Sequence, residues 1–244
     1  MKPIAILLTL ILAGCAAPEV QRNGISTPEP LVFDNQWDDF YRRLSTEEPR
    51  LMPEGWRELI DVPPPPDDAF TRSEVEQIIA LKPLRDVYQD DISAQLRDVV
   101  HPFAIHLQLN TRQRDALNAF WAKVVPDITR VHMHYKAKYN RARPRQYSSE
   151  IEQSIAPPGH PAYPSGHSTD AHTLALILAD IWPDKKTQLL SIARQIAFNR
   201  EIGGVHYRSD TEAGYLLAQQ LVPLLKQDAT GGALINDLRV ALAE

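Results

Sequence analysis

Residues 163–182 read YPSGHSTDAHTLALILADIW, and this stretch decides the fold. The part from Ser168 to Trp182 is strongly apolar, carrying Leu174, Leu176, Ile177, Leu178 and Ile181. An apolar helix of about four turns reads as the buried centre of a helical bundle. The part before it sets glycine and small polar residues at that helix's N-terminus. Unpaired backbone N–H groups and the helix dipole make such a place receptive to an anion.

On both sides the same helical period continues, with apolar residues three and four apart and little β-type alternation. Helices are expected from Thr71 or Ser73 through Leu81, over 85–100, over 111–125 ending at Pro126, and over 127–139. Further ones are expected over 184–202, stopped by Gly203-Gly204, over 209–226 and over 233–243. No internal repeat appears, so the expected class is all-α, a single-domain helical bundle.

With 244 residues, of which 43% are hydrophobic, the chain is long enough for one well-buried domain, or at most two small ones. A net charge of −5 and no local basic patch argue against a nucleic-acid surface. Cys15 is the single cysteine, which excludes a disulfide within the chain, a cysteine metal cluster and a catalytic thiol elsewhere. Lys2, the apolar run from Ile4 to Leu12 and the small residues Ala13-Gly14 before Cys15 read as a signal peptide over 1–14. The run is about half of the roughly 20 residues a membrane-spanning helix needs. Residues 15–66 form a proline-rich, acidic tether ending in Pro63–Pro66, with Trp37, Phe40, Tyr41, Trp56, Leu59 and Ile60 marking parts that pack on the main domain. The domain itself is assigned to 67–244.

Three polar clusters carry candidate chemistry. Lys136 and Arg143, separated by six residues and followed by Pro144, stand at the end of a predicted helix. Arginine offers a planar fork for phosphate oxygens and lysine a point charge. Taken alone, the run is equally a solvated basic helix end, which is how Lys138, Arg141 and Arg145 are read. In the second cluster Ser165 and Gly166 can cradle an anion and His167 can hand a proton to a leaving group; alternatively, Ser165 or Ser168 is only an N-cap. In the third, Arg200 precedes His206 and Asp210, whose spacing of four brings them together on a helical turn. A carboxylate on one ring nitrogen fixes the tautomer and leaves the other nitrogen nucleophilic. The alternative is that Asp210 caps the next helix and His206 packs beneath it.

The other histidines are read more plainly. His132 and His134 lie two apart on a helix and diverge, His101 and His106 sit near a helix end and its loop, and His172 belongs to the core or next to the site. His160 precedes the anion loop closely enough to line the pocket.

In combination, Lys-x6-Arg-Pro, Pro-Ser-Gly-His and Arg-x5-His-x3-Asp over residues 136–210 resemble the phosphatase and vanadium-haloperoxidase superfamily that includes the type-2 phosphatidic acid phosphatases. The Pro63–Pro66 run upstream of a helical domain resembles the bacterial class A non-specific acid phosphatases in particular. Asn199 departs from the pattern, since a serine usually precedes the family's arginine. Leu12-Ala13-Gly14-Cys15 resembles the bacterial lipobox, which implies acylation of Cys15, and Ala16 then implies outer-membrane retention, facing the periplasm.

The resemblance implies a phosphomonoester hydrolase, an acid phosphatase, in which His206 attacks phosphorus and carries a phosphohistidine. Asp210 orients and charges it, and His167 protonates the leaving alcohol and then activates water. Lys136, Arg143, Arg200, Ser165 and the Gly166 backbone would hold the phosphoryl oxygens, fixed cations taking the place of a metal. No cofactor is therefore expected, vanadate is expected to inhibit, and the partners are small phosphorylated substrates plus the membrane reached through the lipid on Cys15. Three alternatives stay open: a haloperoxidase holding vanadate on His206, a lipid-phosphate phosphatase at the membrane surface, and a non-catalytic envelope lipoprotein that keeps an anion site.

Overall fold

The computed structural model describes residues 31–33, 37–156 and 158–243. The expected signal peptide and Cys15 lie outside the described residues. Among these there is no strand, only an isolated antiparallel bridge between Val32 and Arg141. Eleven α-helices are described, and the chain's all-α class follows from them.

Two short helices, α1 (Asp39–Leu44) and α2 (Trp56–Leu59), precede α3 (Asp68–Ala80), α4 (Arg85–Ala94) and α5 (Val100–His106). The long α6 (Thr111–Tyr139) leads to α7 (Pro144–Tyr147), and α8 (Gly166–Ile181), α9 (Lys186–Ile202), α10 (Arg208–Gln227) and α11 (Ala229–Ala243) complete the chain. The apolar segment behaves as its composition requires: in α8, Leu174, Ala175, Ile177 and Leu178 are wholly buried. Complete burial of each of the larger side chains contributes about 1.5–3 kcal/mol. α9 and α10 pack against it, α6 also contacts it, and α11 lies against α6 and α10. α8 and α10 approach so closely that a Cβ on Gly214 would lie 2.7 Å from the Ser165 carbonyl oxygen. This contact brings the start of α10 to the start of α8.

The largest departure from the sequence expectation is at Pro126, where α6 continues instead of stopping. A proline inside a helix costs about 3 kcal/mol through a lost N–H and a crowded preceding turn. Here Leu117, Phe120 and Val124 on one side of it and Ile128 and Val131 on the other form one buried stripe, whose burial exceeds that cost. The result is one rod that carries His132 and Lys136 on the same rigid frame as the core.

Other boundaries moved for identifiable reasons. α3 starts at Asp68 because Asp67 accepts the Phe70 N–H, so Asp67, not Thr71 or Ser73, is the cap. The helix expected over 85–100 divides into α4 and α5, with Asp98 Oδ1 accepting from the N–H groups of Val100 and His101 at the new start. Both His101 and His106 therefore lie within α5.

Residues 37–66, read as a partly packed tether, lie on the bundle. Trp56, Ile60 and Val62 are buried in the same core as α6 and α8, while Phe40 and Leu59 are exposed. Extended proline-rich chain leaves its carbonyls without internal partners. Tyrosine hydroxyls supply them: Tyr135 donates to Ile60 O at 2.8 Å, Tyr163 to Pro63 O at 2.6 Å, and Tyr139 to Val62 O.

Candidate active site

The N-termini of α8 and α10 meet at one cavity. Ser165 is the N-cap of α8, its Oγ accepting the Ser168 N–H, so the cap reading of Ser165 holds geometrically. Gly166 and His167 follow in the first turn, where backbone N–H groups have no intrahelical acceptor. The Ser165 N–H donates to the carbonyl of Asp210 at 2.9 Å and ties this loop to α10.

Asp210 combines the two alternatives left open by sequence. Its Oδ2 accepts both the Tyr207 N–H at 3.1 Å, capping α10, and His206 Nδ1 at 3.0 Å, orienting the ring. Its Oδ1 accepts from Arg141 Nη1 at 2.6 Å. Arg141 continues to Thr71 and Glu74 through Nη2, both at 2.9 Å, and Glu74 in turn receives the backbone N–H and hydroxyl of Ser209. Arg141 is only 4% exposed. The reading of it as a solvated helix end is therefore corrected: the chain has left α6 and turned inward, and two buried carboxylates hold the guanidinium. No sequence signal pointed to this, because Glu74 stands 67 residues away.

Opposite that network, His206 Nε2 meets Arg143 Nη1 at 3.1 Å. Arg143 also donates to the carbonyls of Val205, His160 and Pro161, and its Nη2 lies 3.0 Å from His160 Nδ1. Lys136 Nζ donates to three carbonyls, those of Pro161, Ala162 and Pro164, at 2.6–3.0 Å. It was expected to reach an anion; in this state its three protons hold the 161–164 loop, and it offers the site its charge.

Arg200 differs from both. One terminal nitrogen, Nη2, is tied to Ile92 O at 2.8 Å and to Gln95 Oε1 at 3.3 Å. Its Nε and Nη1 are buried and have no partner. Asn199, which stands where the resemblance predicts serine, is wholly buried and donates to the same Gln95 oxygen at 2.9 Å. It thus braces the α4 contact that fixes Arg200. Gln95 was not singled out from sequence, since only the break between α4 and α5 brings it there.

A cavity of about 310 Å³ gathers Gly166, His167, Arg200 and His206, with Tyr41 of α1 and His160 on its wall. His160 packs edge-on to Tyr41 at 4.7 Å between centroids. His132 lines the same cavity, whereas His134 turns away against Trp56, as their spacing predicted. His172 is buried beside Tyr215 and hydrogen-bonds within α8 to Ser168.

Burial and cation crowding dominate the protonation states. His206 is pushed well below the usual imidazole range by burial and then by Arg143, against the opposing pull of Asp210. Burial would raise the Asp210 carboxyl, but Arg141 and the His206 bond hold it below the ordinary carboxylate range. His167 falls to about 3 through burial, then Arg200, with a hydrogen bond to the Gln95 backbone opposing. Arg143 and Arg200 drop to about 10 by burial and stay charged at neutral pH. Lys136 is lowered well below 10.5 by burial first and by Arg143 next. The site therefore holds neutral imidazoles among excess positive charge, an arrangement suited to a small dianion.

Residues 116–228 match the PAP2 superfamily. The chain is similar to an acid phosphatase of Zymomonas mobilis, 38% identical over 68 residues that make up 28% of this chain and 26% of that one. It is also similar to a non-specific acid phosphatase of Providencia stuartii, 29% identical over 96 residues, covering 37% of this chain and 38% of that protein. The matched segment thus spans well under half of either relative. In fold it is similar to a bacterial vanadium-dependent iodoperoxidase, with a TM-score of 0.56 at 14% identity, covering 83% of this chain and 63% of that one.

Proposed function

We propose that this chain, the bearer of a PAP2 superfamily domain, is an acid phosphatase that hydrolyses phosphomonoesters without a metal, through a phosphohistidine on His206. The observation that carries this reading is the pair of unpartnered Arg200 donors in the same cavity as His206, whose ring is held by the buried Asp210. Buried guanidinium N–H groups without acceptors are costly unless a ligand completes them. A phosphoryl group offers the required oxygens in a matching planar fork geometry.

In the proposed reaction Arg200 and the free N–H groups at the start of α8 take the phosphoryl oxygens, and Arg143 moves its Nη1 donor from His206 Nε2 to one of them. That exchange frees the Nε2 lone pair. Attack on phosphorus forms a P–N bond and breaks the P–O bond to the alcohol, whose oxygen takes its proton from His167. Water then attacks phosphorus, gives its proton to His167 and releases inorganic phosphate from His206. Asp210 stabilises the charge that grows on the ring, and Lys136 contributes through space while holding the loop. Phosphoryl transfer needs mainly in-line positioning and charge compensation, which these groups can supply.

The test is turnover of a simple aryl phosphate in excess chelator, together with rapid quenching into alkali to trap the labelled enzyme. Chelator-resistant turnover, label on His206 and loss of both in His206→Ala are expected, with vanadate inhibiting. Reversible loss in chelator, or a His206→Ala variant that turns over normally, would overturn the assignment; peroxide-driven halide oxidation after vanadate loading would replace it with the peroxidase reading.

The placement in the cell is a further part of the proposal: an acyl group on Cys15 anchors the domain to the outer membrane on the periplasmic side. No helix among the described residues is long and apolar enough to cross a membrane.

A further inference from the structure

One part of the cavity wall takes no part in the chemistry above and is unusually polar. His132, on α6 one turn before Lys136, and Asp170, on α8 one turn after Gly166, face each other across it. His132 is 4% exposed and its Nδ1 has no partner; Asp170 Oδ1 is buried and has none either. Their nearest atoms, His132 Nε2 and Asp170 Oδ1, lie 3.9 Å apart, too far for a direct hydrogen bond. A hydroxyl oxygen placed between them, about 2.8 Å from each, would bond to both. The His132 ring also abuts the anion end of α8, since a Cβ on Gly166 would come within 3.1 Å of its Cε1.

We infer that His132 and Asp170 form a second binding subsite for the hydroxyl groups of the substrate's alcohol, so that this chain prefers phosphomonoesters of polyhydroxylated alcohols, such as sugar or glycerol phosphates. This rests on the hydrolase reading and names its substrate class. Charge supports the choice of ligand. Burial raises the Asp170 carboxyl to about 8, with Lys136 opposing, and burial followed by Lys136 and His167 keeps His132 well below its usual range. Near neutral pH the two are an uncharged carboxyl and an uncharged imidazole, which neither repel a phosphate dianion nor attract an ammonium group. Asp170 Oδ1, buried and without a partner, is left unfilled by an apolar alcohol and filled by a hydroxylated one, which discriminates between the two.

The experiment compares kcat/KM for glycerol 2-phosphate with that for ethyl phosphate, in the parent chain, Asp170→Ala and Asp170→Asn. The expected ratio in the parent favours the polyol ester by about tenfold, the amount one well-formed buried hydrogen bond contributes. Asp170→Ala should bring the ratio near one, and Asp170→Asn, which keeps a donor and an acceptor, should restore most of it. A parent ratio near one, or a ratio unchanged in Asp170→Ala, overturns the subsite and leaves the hydrolase reading standing. Absence of turnover on either ester strikes the hydrolase reading instead. The subsite is then read by calorimetric affinity for glycerol 2-phosphate relative to inorganic phosphate, where equal affinities in parent and Asp170→Ala would overturn it.

Discussion

The two edges of the His206 ring face regions built on opposite rules. On the Nδ1 side, Asp210, Arg141, Glu74, Thr71 and Ser209 form a buried network in which the charges and hydroxyls find partners at 2.6–3.0 Å. On the Nε2 side, Arg200, His132 and Asp170 each leave a buried polar atom without a protein partner. A completed network holds a ring in one orientation and one tautomer, whereas unmet donors and acceptors around a cavity are what a ligand completes. The contrast locates positioning and binding on different sides of one residue.

The largest effect should come from opening the closed side. Arg141→Met would leave Asp210 and Glu74 buried without their cation, and breaking a buried pair in this way costs about 3–5 kcal/mol. Denaturant unfolding should register that loss, and a variant as stable as the parent would show that the network is not holding the α3–α10 junction. Next in size is the open side: Arg200→Ala should lower kcat/KM for an aryl phosphate by about 10²–10³-fold, as removal of one charge-stabilising donor does, with little change in the melting temperature. If its stability fell as far as that of Arg141→Met while turnover survived, the two sides would not differ as described.

The smallest effect is protonic and sharpens the comparison further. Burial and then Arg200 push His167 down to about 3 from its ordinary 6.5, so between those values the native state binds fewer protons than the unfolded chain. The His167 contribution is therefore a loss of stability as pH falls from 6.5 towards 3. A bound dianion offsets Arg200, Lys136 and Arg143, raises this value and reverses the loss. Sulfate, a dianion with no proton to give up in this range, should accordingly raise the melting temperature more as pH falls through 6.5, with up to about one proton taken up per ion in calorimetry across buffers of different ionisation enthalpy. A pH-independent shift with no proton uptake would remove His167 from the anion's neighbourhood.

Much of this was legible from local pattern. The apolar run after His167 announced the central helix, and the spacing of His206 and Asp210 announced their contact. The two readings of Asp210 turned out not to compete, because one carboxylate oxygen, Oδ2, accepts both the Tyr207 N–H at the start of α10 and His206 Nδ1, while Oδ1 is held by Arg141. Pro126 misled, since a local helix breaker was outweighed by burial that the sequence window does not count. Arg141 misled for the opposite reason: its charge and helix-end setting look solvated until α3 brings Glu74 against it.

By itself, then, the amino-acid order determined the helical class, the central apolar helix, and the charged and imidazole residues at the starts of α8 and α10. These follow from periodicity, capping and spacing, which act over a few residues. Only the tertiary structure decided which cations are spent on the protein's own carbonyls, as Lys136 is, and which keep donors open, as Arg200 does. It alone placed His132 and Asp170 on the cavity wall, and Gln95 against both Asn199 and Arg200. The physical reason is that a buried polar group's role is set by whether the chain around it completes its hydrogen bonds, and those partners come from segments far away in sequence.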